Sequence, residues 1–326
     1  MSLLEVSGIS IAEERGIVLK DISFTQQEFQ QVAIAGETGS GKSTLLKIVA
    51  GLVQPDAGKI YFEGEEVIGP REKLVPGHPG ISYLSQHFEL PKSLRVEQVL
   101  KYANTLSAEE AEKLYEVCRI THLLKRRTDQ LSGGEKQRIA MARLLSSAPK
   151  LLLLDEPYSN LDMVHKSVLK SVIRDIGEQL DITCIMISHD PQDILSWADE
   201  ILVMKEGRIQ QQGPPEQIYR QPVNEYVAGL FGKYNLLDPT LLAGQEGLQL
   251  NGKRILVRPE NLQVVAEGPH TLEGVIRKVS FLGSFYETEV QLTKGSGTVT
   301  LKAAKPSGAK GSTVHMALAQ ERLWQL

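Results

Sequence analysis

Cysteine is nearly missing from this chain of 326 residues: Cys118 and Cys184 are its only two, too few for a disulfide framework or a zinc site. Both stand among apolar residues and are expected to fill core space. Long apolar runs are missing as well. The pure stretches are short, such as residues 151–154, far below the 18 or so residues that a bilayer-spanning helix needs. Near the start, Glu5 follows Leu3 and Leu4 and leaves no secretory h-region. A soluble, cytoplasmic protein is expected, one that reaches a membrane only by docking on something that spans it. Charge of one sign is absent too: 36 basic against 40 acidic residues leave a formal charge of −4, with no protein-wide footprint for nucleic acid. Basic runs such as Lys125-Arg126-Arg127 read as solvated helix ends. Residues 1–23 contain no Phe, Tyr or Trp, and no internal repeat is visible.

What is present is an ordinary globular composition, with 41% hydrophobic and 23% charged residues, and a length that predicts about two domains. The organising stretch is Gly36-Glu37-Thr38-Gly39-Ser40-Gly41-Lys42-Ser43-Thr44. Before it, Gln31-Val32-Ala33-Ile34-Ala35 has the apolar, β-branched character of a buried strand; after it, Leu45 to Ala50 continues as an apolar helix. Strand, glycine loop and helix in this order make a phosphate-binding loop. Gly36, Gly39 and Gly41 let amides turn inward around phosphate oxygens, and the helix start adds partial positive charge. Lys42 is placed to reach the β and γ phosphates, Ser43 to offer its hydroxyl to Mg²⁺, and Thr44 to donate to a further phosphate oxygen.

A second apolar run, Leu151 to Leu154, ends in Asp155-Glu156-Pro157, which puts two acids at the carboxyl end of a buried strand beside the loop. Asp155 is expected to hold Mg²⁺, and Glu156 to orient and polarise the water that attacks the γ phosphate.

The pattern around these stretches predicts an α/β fold. Residues 3–34 read as short antiparallel strands, residues 88–148 as an inserted helical subdomain, and residues 151–210 as strands alternating with helices in a parallel sheet. Residues 221–239 have linker-like composition. Beyond them, β-rich segments separated by Gly, Pro and Ser predict a small β-barrel-like domain. The expected domains are therefore 1–235 and 236–326.

Leu131-Ser132-Gly133-Gly134-Glu135-Lys136-Gln137-Arg138 discriminates further. Ser132 can cap the helix running through Ile139 and Leu145, and the paired glycines leave its first amides open as a second anion site. Here the sequence resembles the ATP-binding subunits of ABC transporters, whose signature is Leu-Ser-Gly-Gly-Gln. Glu135 departs from it and would bring negative charge close to a polyphosphate.

The resemblance covers about residues 1–235, with its motifs in family order, and implies a P-loop ATPase that uses ATP and Mg²⁺. It implies that Gln86 contacts Mg²⁺ or the attacking water, that Ser159-Asn160-Leu161-Asp162 meets another subunit, and that His189 reaches the γ phosphate. It also implies a head-to-tail homodimer, in which Gly36–Thr44 of one copy and Ser132–Glu135 of the other clamp each ATP. The helical subdomain would receive a coupling helix from a transmembrane permease subunit. Family members stack the base on an aromatic residue in the first strand region; Ile11 is aligned there, which predicts weaker stacking.

Finally, Leu256-Val257-Arg258-Pro259-Glu260-Asn261-Leu262 and Val279-Ser280-Phe281-Leu282-Gly283 resemble the TOBE domain of bacterial importers for sugars, polyamines, sulfate and ferric iron. Arg258 reads as a structural ion-pair partner, with a small-anion effector site as the alternative. The implied function is an importer ATPase on the inner face of the membrane, working with permease subunits and, indirectly, a solute-binding protein, and without nucleic acid. An efflux ATPase is the alternative, and a soluble ABC ATPase of DNA repair or translation a more distant one.

Overall fold

The computed structural model describes residues 2–14, 16–86, 89–159, 161–242, 253–295, 297–318 and 324–326. The chain divides into two units, Met1–Pro215 and Glu216–Leu326.

In the first unit, the N-terminal alternation forms two long strands rather than several short ones: β1 (Ser2–Glu13) and β2 (Gly16–Gln27) pair antiparallel. Register shifts along the pair keep it continuous where the sequence pattern seemed to break. Next come β3 (Gln31–Gly36), α1 (Lys42–Val49), β4 (Ala57–Phe62), β5 (Glu65–Glu66) and β6 (Ile81–Leu84). Three helices follow, α2 (Val96–Ala103), α3 (Ala108–Val117) and α4 (Gly133–Leu145). The unit is completed by β7 (Leu151–Asp155), α5 (Met163–Leu180), β8 (Thr183–Ile187), α6 (Pro191–Leu195), β9 (Glu200–Lys205) and β10 (Arg208–Gly213).

These strands make two sheets. One is antiparallel, in the order β2-β1-β4-β5; the other runs β10-β9-β3-β8-β7-β6 and is parallel except for the edge strand β10. Residues 151–154 of β7 and 184–187 of β8 are apolar because both faces are covered. Leu151, Leu153, Ile185 and Ile187 pack with α1 and the antiparallel sheet. Leu152, Leu154, Cys184 and Met186 pack with the helical layer of α2 to α5. Cys118 and Cys184 are fully buried, as core fillers should be.

Register determines where the chemistry sits. Ile34 on β3 and Asp155 on β7 both pair with Ile187 on β8, and Leu84 on β6 pairs with Leu154. The four carboxyl ends are therefore level, and the segments leaving them converge on one edge of the sheet.

The second unit holds α7 (Pro215–Arg220) from its second residue on, α8 (Glu225–Leu230) and β11 (Asn235–Leu237), followed by β12 (Ile255–Val257), β13 (Leu262–Val265) and β14 (Leu272–Phe281). It ends with β15 (Tyr286–Leu292), β16 (Thr298–Ala303), β17 (Thr313–Leu318) and β18 (Trp324–Gln325). Two antiparallel sheets, β11-β12-β18 and β13-β17-β14-β15-β16, share one apolar core. The structural division falls before residue 235 because the linker-like segment is packed into this unit. Trp324 Nε1 donates to Pro222 O at 2.8 Å, and Asn235 exchanges two hydrogen bonds with Thr300.

Arg258 is central to that packing, and among the described residues it is held by backbone carbonyls rather than by an ion pair. Its guanidinium, 2% exposed, donates to the carbonyls of Tyr219, Ala228, Gly232 and Lys233 at 2.9–3.2 Å and lies 4.1 Å from the Tyr219 ring centroid. Those carbonyls belong to helix ends and the turn after them, where backbone acceptors have no intrahelical donor.

Candidate functional site

The loop between β3 and α1 is built as its glycines require. Gly41, the N-cap of α1, has φ 93°, and a Cβ there would lie 2.6 Å from Leu19 Cδ2 and 2.7 Å from Val18 O. Only glycine combines that backbone with that approach. Glu37, Thr38 and Gly39 form an exposed rim, whereas Gly36, Ser40 and Lys42 are buried. Lys42 Nζ donates to the carbonyls of Gly36 and Glu37 at 2.9 and 2.7 Å and to Ser40 Oγ at 3.3 Å. Burial lowers its pKa, while the carboxylates of Glu156, Asp155 and Glu37 work in the other direction. Hydrogen bonds to neutral oxygens are weaker than the charge-assisted ones an ammonium makes to anionic oxygens. Ser43 and Thr44 occupy the first turn of α1, half-buried.

Asp155, at the end of β7, is 5% exposed. Its Oδ1 accepts from Ser43 Oγ at 3.0 Å and its Oδ2 from Tyr83 OH at 2.8 Å. Burial pushes the Tyr83 phenol up, helped by that carboxylate, so the hydroxyl stays a donor. Tyr83, on β6, is a member of the site that sequence reasoning missed; its place on a strand paired with β7 was the available signal.

Glu156 follows with φ 49°, a left-handed backbone that costs a non-glycine residue about 1–3 kcal/mol. That turn carries the carboxylate away from the Asp155 direction. Glu156 Oε2 accepts from Gln86 Nε2 at 3.1 Å and lies 3.6 Å from His189 Nδ1. Three residues predicted separately thus meet on one oxygen. They share a cleft with Tyr158, Ser159, Lys166, Ser188, Asp190 and Asp193.

Ser132 and Glu135 form a reciprocal cap on α4: Glu135 N donates to Ser132 Oγ at 3.3 Å, and Ser132 N to Glu135 Oε2 at 2.7 Å. Arg126 Nη1 pairs with Glu135 Oε1 at 3.0 Å. Burial disfavours the Glu135 charge, but the Ser132 hydrogen bonds and the charges of Arg126 and Arg138 outweigh it and hold the carboxyl below its usual range. The charge expected to oppose a polyphosphate is therefore compensated locally, at the start of a 13-residue helix whose first residue, Gly133, is exposed.

Asp162 is the N-cap of α5; its carboxylate accepts from His165 N at 2.9 Å and contacts His165 Nδ1 at 2.7 Å. Asn160 lies outside the described residues. The His165 ring packs on α4, where a Cβ on Gly134 would come within 2.9 Å of it. Gln137 on α4 also donates to Pro157 O. Hence α4 and the segment after β7 are tied together, although Ser132–Glu135 do not line the Glu156 cleft.

Ile11, the residue aligned with the base-stacking position, lies in the core. It is 8% exposed, in phase with Ile9, and packs in the core beneath the β1–β2 pair. Among the described residues, no helix is long and apolar enough to cross a membrane.

Comparison with known proteins agrees with this arrangement. The profile of the family described as ABC transporter matches residues 19–159, and that of the TOBE domain residues 255–326. The chain is 32% identical to the sulfate/thiosulfate import ATP-binding protein CysA of Synechococcus elongatus, over 90% of this chain and 86% of that protein. It is 31% identical to the spermidine/putrescine import ATP-binding protein PotA of Clostridium acetobutylicum (89% and 87% covered) and 32% identical to the Fe(3+) ions import ATP-binding protein FbpC 2 of Rhodococcus jostii (91% and 89%). Among solved structures, cbiO1 of Clostridium perfringens, part of the ABC transporter complex cbiONQ, superposes with a TM-score of 0.58 at 30% identity, covering 67% of this chain and 90% of that one. The ADP conformation of MJ1267, an ATP-binding cassette of an ABC transporter, gives 0.61 at 23% identity, covering 71% and 98%, and shares the fold.

Proposed function

The chain belongs to the ATP-binding subunits of ABC transporters, and we propose that its ATPase cycle drives solute import through membrane permease subunits. The observation that carries the chemistry is the Glu156 carboxylate, flanked by Gln86 at 3.1 Å and His189 at 3.6 Å, one residue beyond the Asp155–Ser43 pair. In this reading Gly36–Thr44 cradle the phosphates and Lys42 turns from the loop carbonyls to the β and γ phosphates. Glu156 polarises a water, its oxygen attacks the γ phosphorus, the bond to the β-phosphate oxygen breaks, and ADP and phosphate leave. His189 steadies the γ phosphate, and Gln86 holds Glu156 or the water in place. Ser43 and Asp155 present paired hard oxygens, a donor set that fits Mg²⁺, whose charge would offset that of the phosphates.

The capped start of α4, with Ser132 and Gly133 exposed, supports a two-copy site, in which Ser132–Glu135 and Asp162 of one copy complete the phosphate loop of the other. Binding ATP at a shared site stabilises the closed dimer, and hydrolysis releases it. Import is supported by the TOBE match and by relatives named for import. Sulfate, polyamines and ferric ions are chemically unlike, so the solute is chosen by other chains, a permease and a solute-binding protein. The subunit then works from the inner membrane face. Glu156→Gln is expected to give an ATP-stabilised dimer with at least about a hundredfold less phosphate release; a wild-type rate would remove Glu156 from this role. Copurification of the tagged chain with permease subunits tests the import reading.

A further inference from the structure

Among the described residues His189 makes one polar side-chain contact, with Glu156, and its own side chain is 70% exposed. The residues on either side of it are the ones held. Asp190 N donates to Ser188 Oγ at 3.2 Å, and Ser188 Oγ donates to Asp193 Oδ2 at 3.2 Å. Asp193 is buried, its side chain 1% exposed, and Lys166 and Lys170 of α5 reach its Oδ1 at 3.0 and 2.6 Å. Lys166 alone of these lysines also contacts Asp190 Oδ2, at 2.5 Å. Both ammonium groups lie within 6 Å of the Tyr158 ring, at 5.9 and 5.8 Å. Two lysines, two aspartates and a tyrosine therefore surround a loop whose exposed tip is His189, and none of the five has a part in the chemistry above.

A buried carboxylate with two cations is an expensive way to hold a turn, because desolvation offsets most of the attraction. Its geometric effect is specific. Lys166 fixes Asp190 to α5, Asp193 fixes Ser188, and the backbone of His189 is left with little freedom between them. We propose that Lys166 is a positioning residue for His189, setting the distance between the imidazole and the Glu156 carboxylate without touching substrate. Lys166 lies one turn after the cap residue Asp162, so the segment proposed to meet a second copy and the loop carrying His189 are fastened to the same turn of α5.

The inference rests on the ATPase reading of Glu156 and His189, and the test keeps the two apart. Steady-state ATP hydrolysis by the full chain is measured for Lys166→Met, Lys166→Arg, Lys170→Met and Asp190→Asn, with Glu156→Gln as the reference. Lys170→Met removes an equal charge from the same cluster but leaves the Asp190 contact. Expected are a kcat about tenfold lower in Lys166→Met, an ATP KM within about twofold of wild type, recovery in Lys166→Arg, and a kcat near wild type in Lys170→Met. Asp190→Asn cuts the same contact from the loop side and reproduces the Lys166→Met loss, so a Lys166→Met chain that fails to fold does not end the test. Equal kcat losses in the two lysine variants, a changed KM with kcat retained, or no recovery with arginine would overturn the proposal. Full activity in Glu156→Gln would overturn the ATPase-site reading itself, and the inference with it.

Discussion

Gly41 shows how much one hydrogen atom decides at the residue scale. Gly41→Ala must place a methyl within 2.6 Å of Leu19 and hold φ at 93°, so a loss of about 1–3 kcal/mol in urea denaturation is expected. Weaker binding in a fluorescent-nucleotide titration should accompany it, because the strain falls on the loop that holds phosphate. The identity of this loop was legible in the sequence, since nine consecutive residues carry it. The surroundings of Glu156 were not: Gln86 is 70 residues away along the chain, and the left-handed turn at Glu156 has no glycine to announce it. Ile11 shows the opposite case. It alternates with Ile9 along β1 and is buried with it, so the side chain aligned with the base-stacking position is spent on the core.

At the scale of the element, α4 carries a prediction about pH. The Glu135 carboxyl is held below its usual value, so its contribution to stability is complete above its unfolded value and is lost as pH falls through the lowered one. Glu135→Gln keeps the cap geometry without the charge. It is therefore expected to flatten the fall in the urea midpoint between neutral pH and about pH 4 that wild type shows, as measured by circular dichroism. The cap itself was legible, as Ser-x-x-Glu before an apolar helix. Its ion pair with Arg126 was not, because the short 3₁₀ turn Thr128–Gln130 ahead of α4 folds Arg126 back on the helix start. Likewise, a helix from about Val164 to Leu180 was readable from its pattern, but the contact of α5 with Gly134 came from packing between α4 and α5.

At the scale of the whole molecule, the second unit depends on a single buried cation. Arg258→Met would leave four carbonyls without their donor, and a loss of at least about 3 kcal/mol is expected. Limited proteolysis should then cut residues 216–235 before any site in 1–215; Arg258→Lys, which lacks the planar fork, should recover only part of the protection. The Gln-Pro and Asp-Pro pairs at the two ends of residues 221–239 made this segment look like a linker, whereas it is attached through Val227, Ala228 and Phe231, which are buried, and through backbone carbonyls, which every sequence has. The sequence by itself determined the order of strands and helices, the phosphate loop, the two acids after β7 and the capped helix at Ser132, since each is a local pattern whose physics acts within a few residues. Only the tertiary structure decided that Gln86, Glu156 and His189 share one oxygen, that Asp193 sits buried beneath the His189 loop, and that Arg258 is caged by carbonyls. Those outcomes depend on strand register and on which surfaces exclude water together, and neither is written in any one stretch of chain.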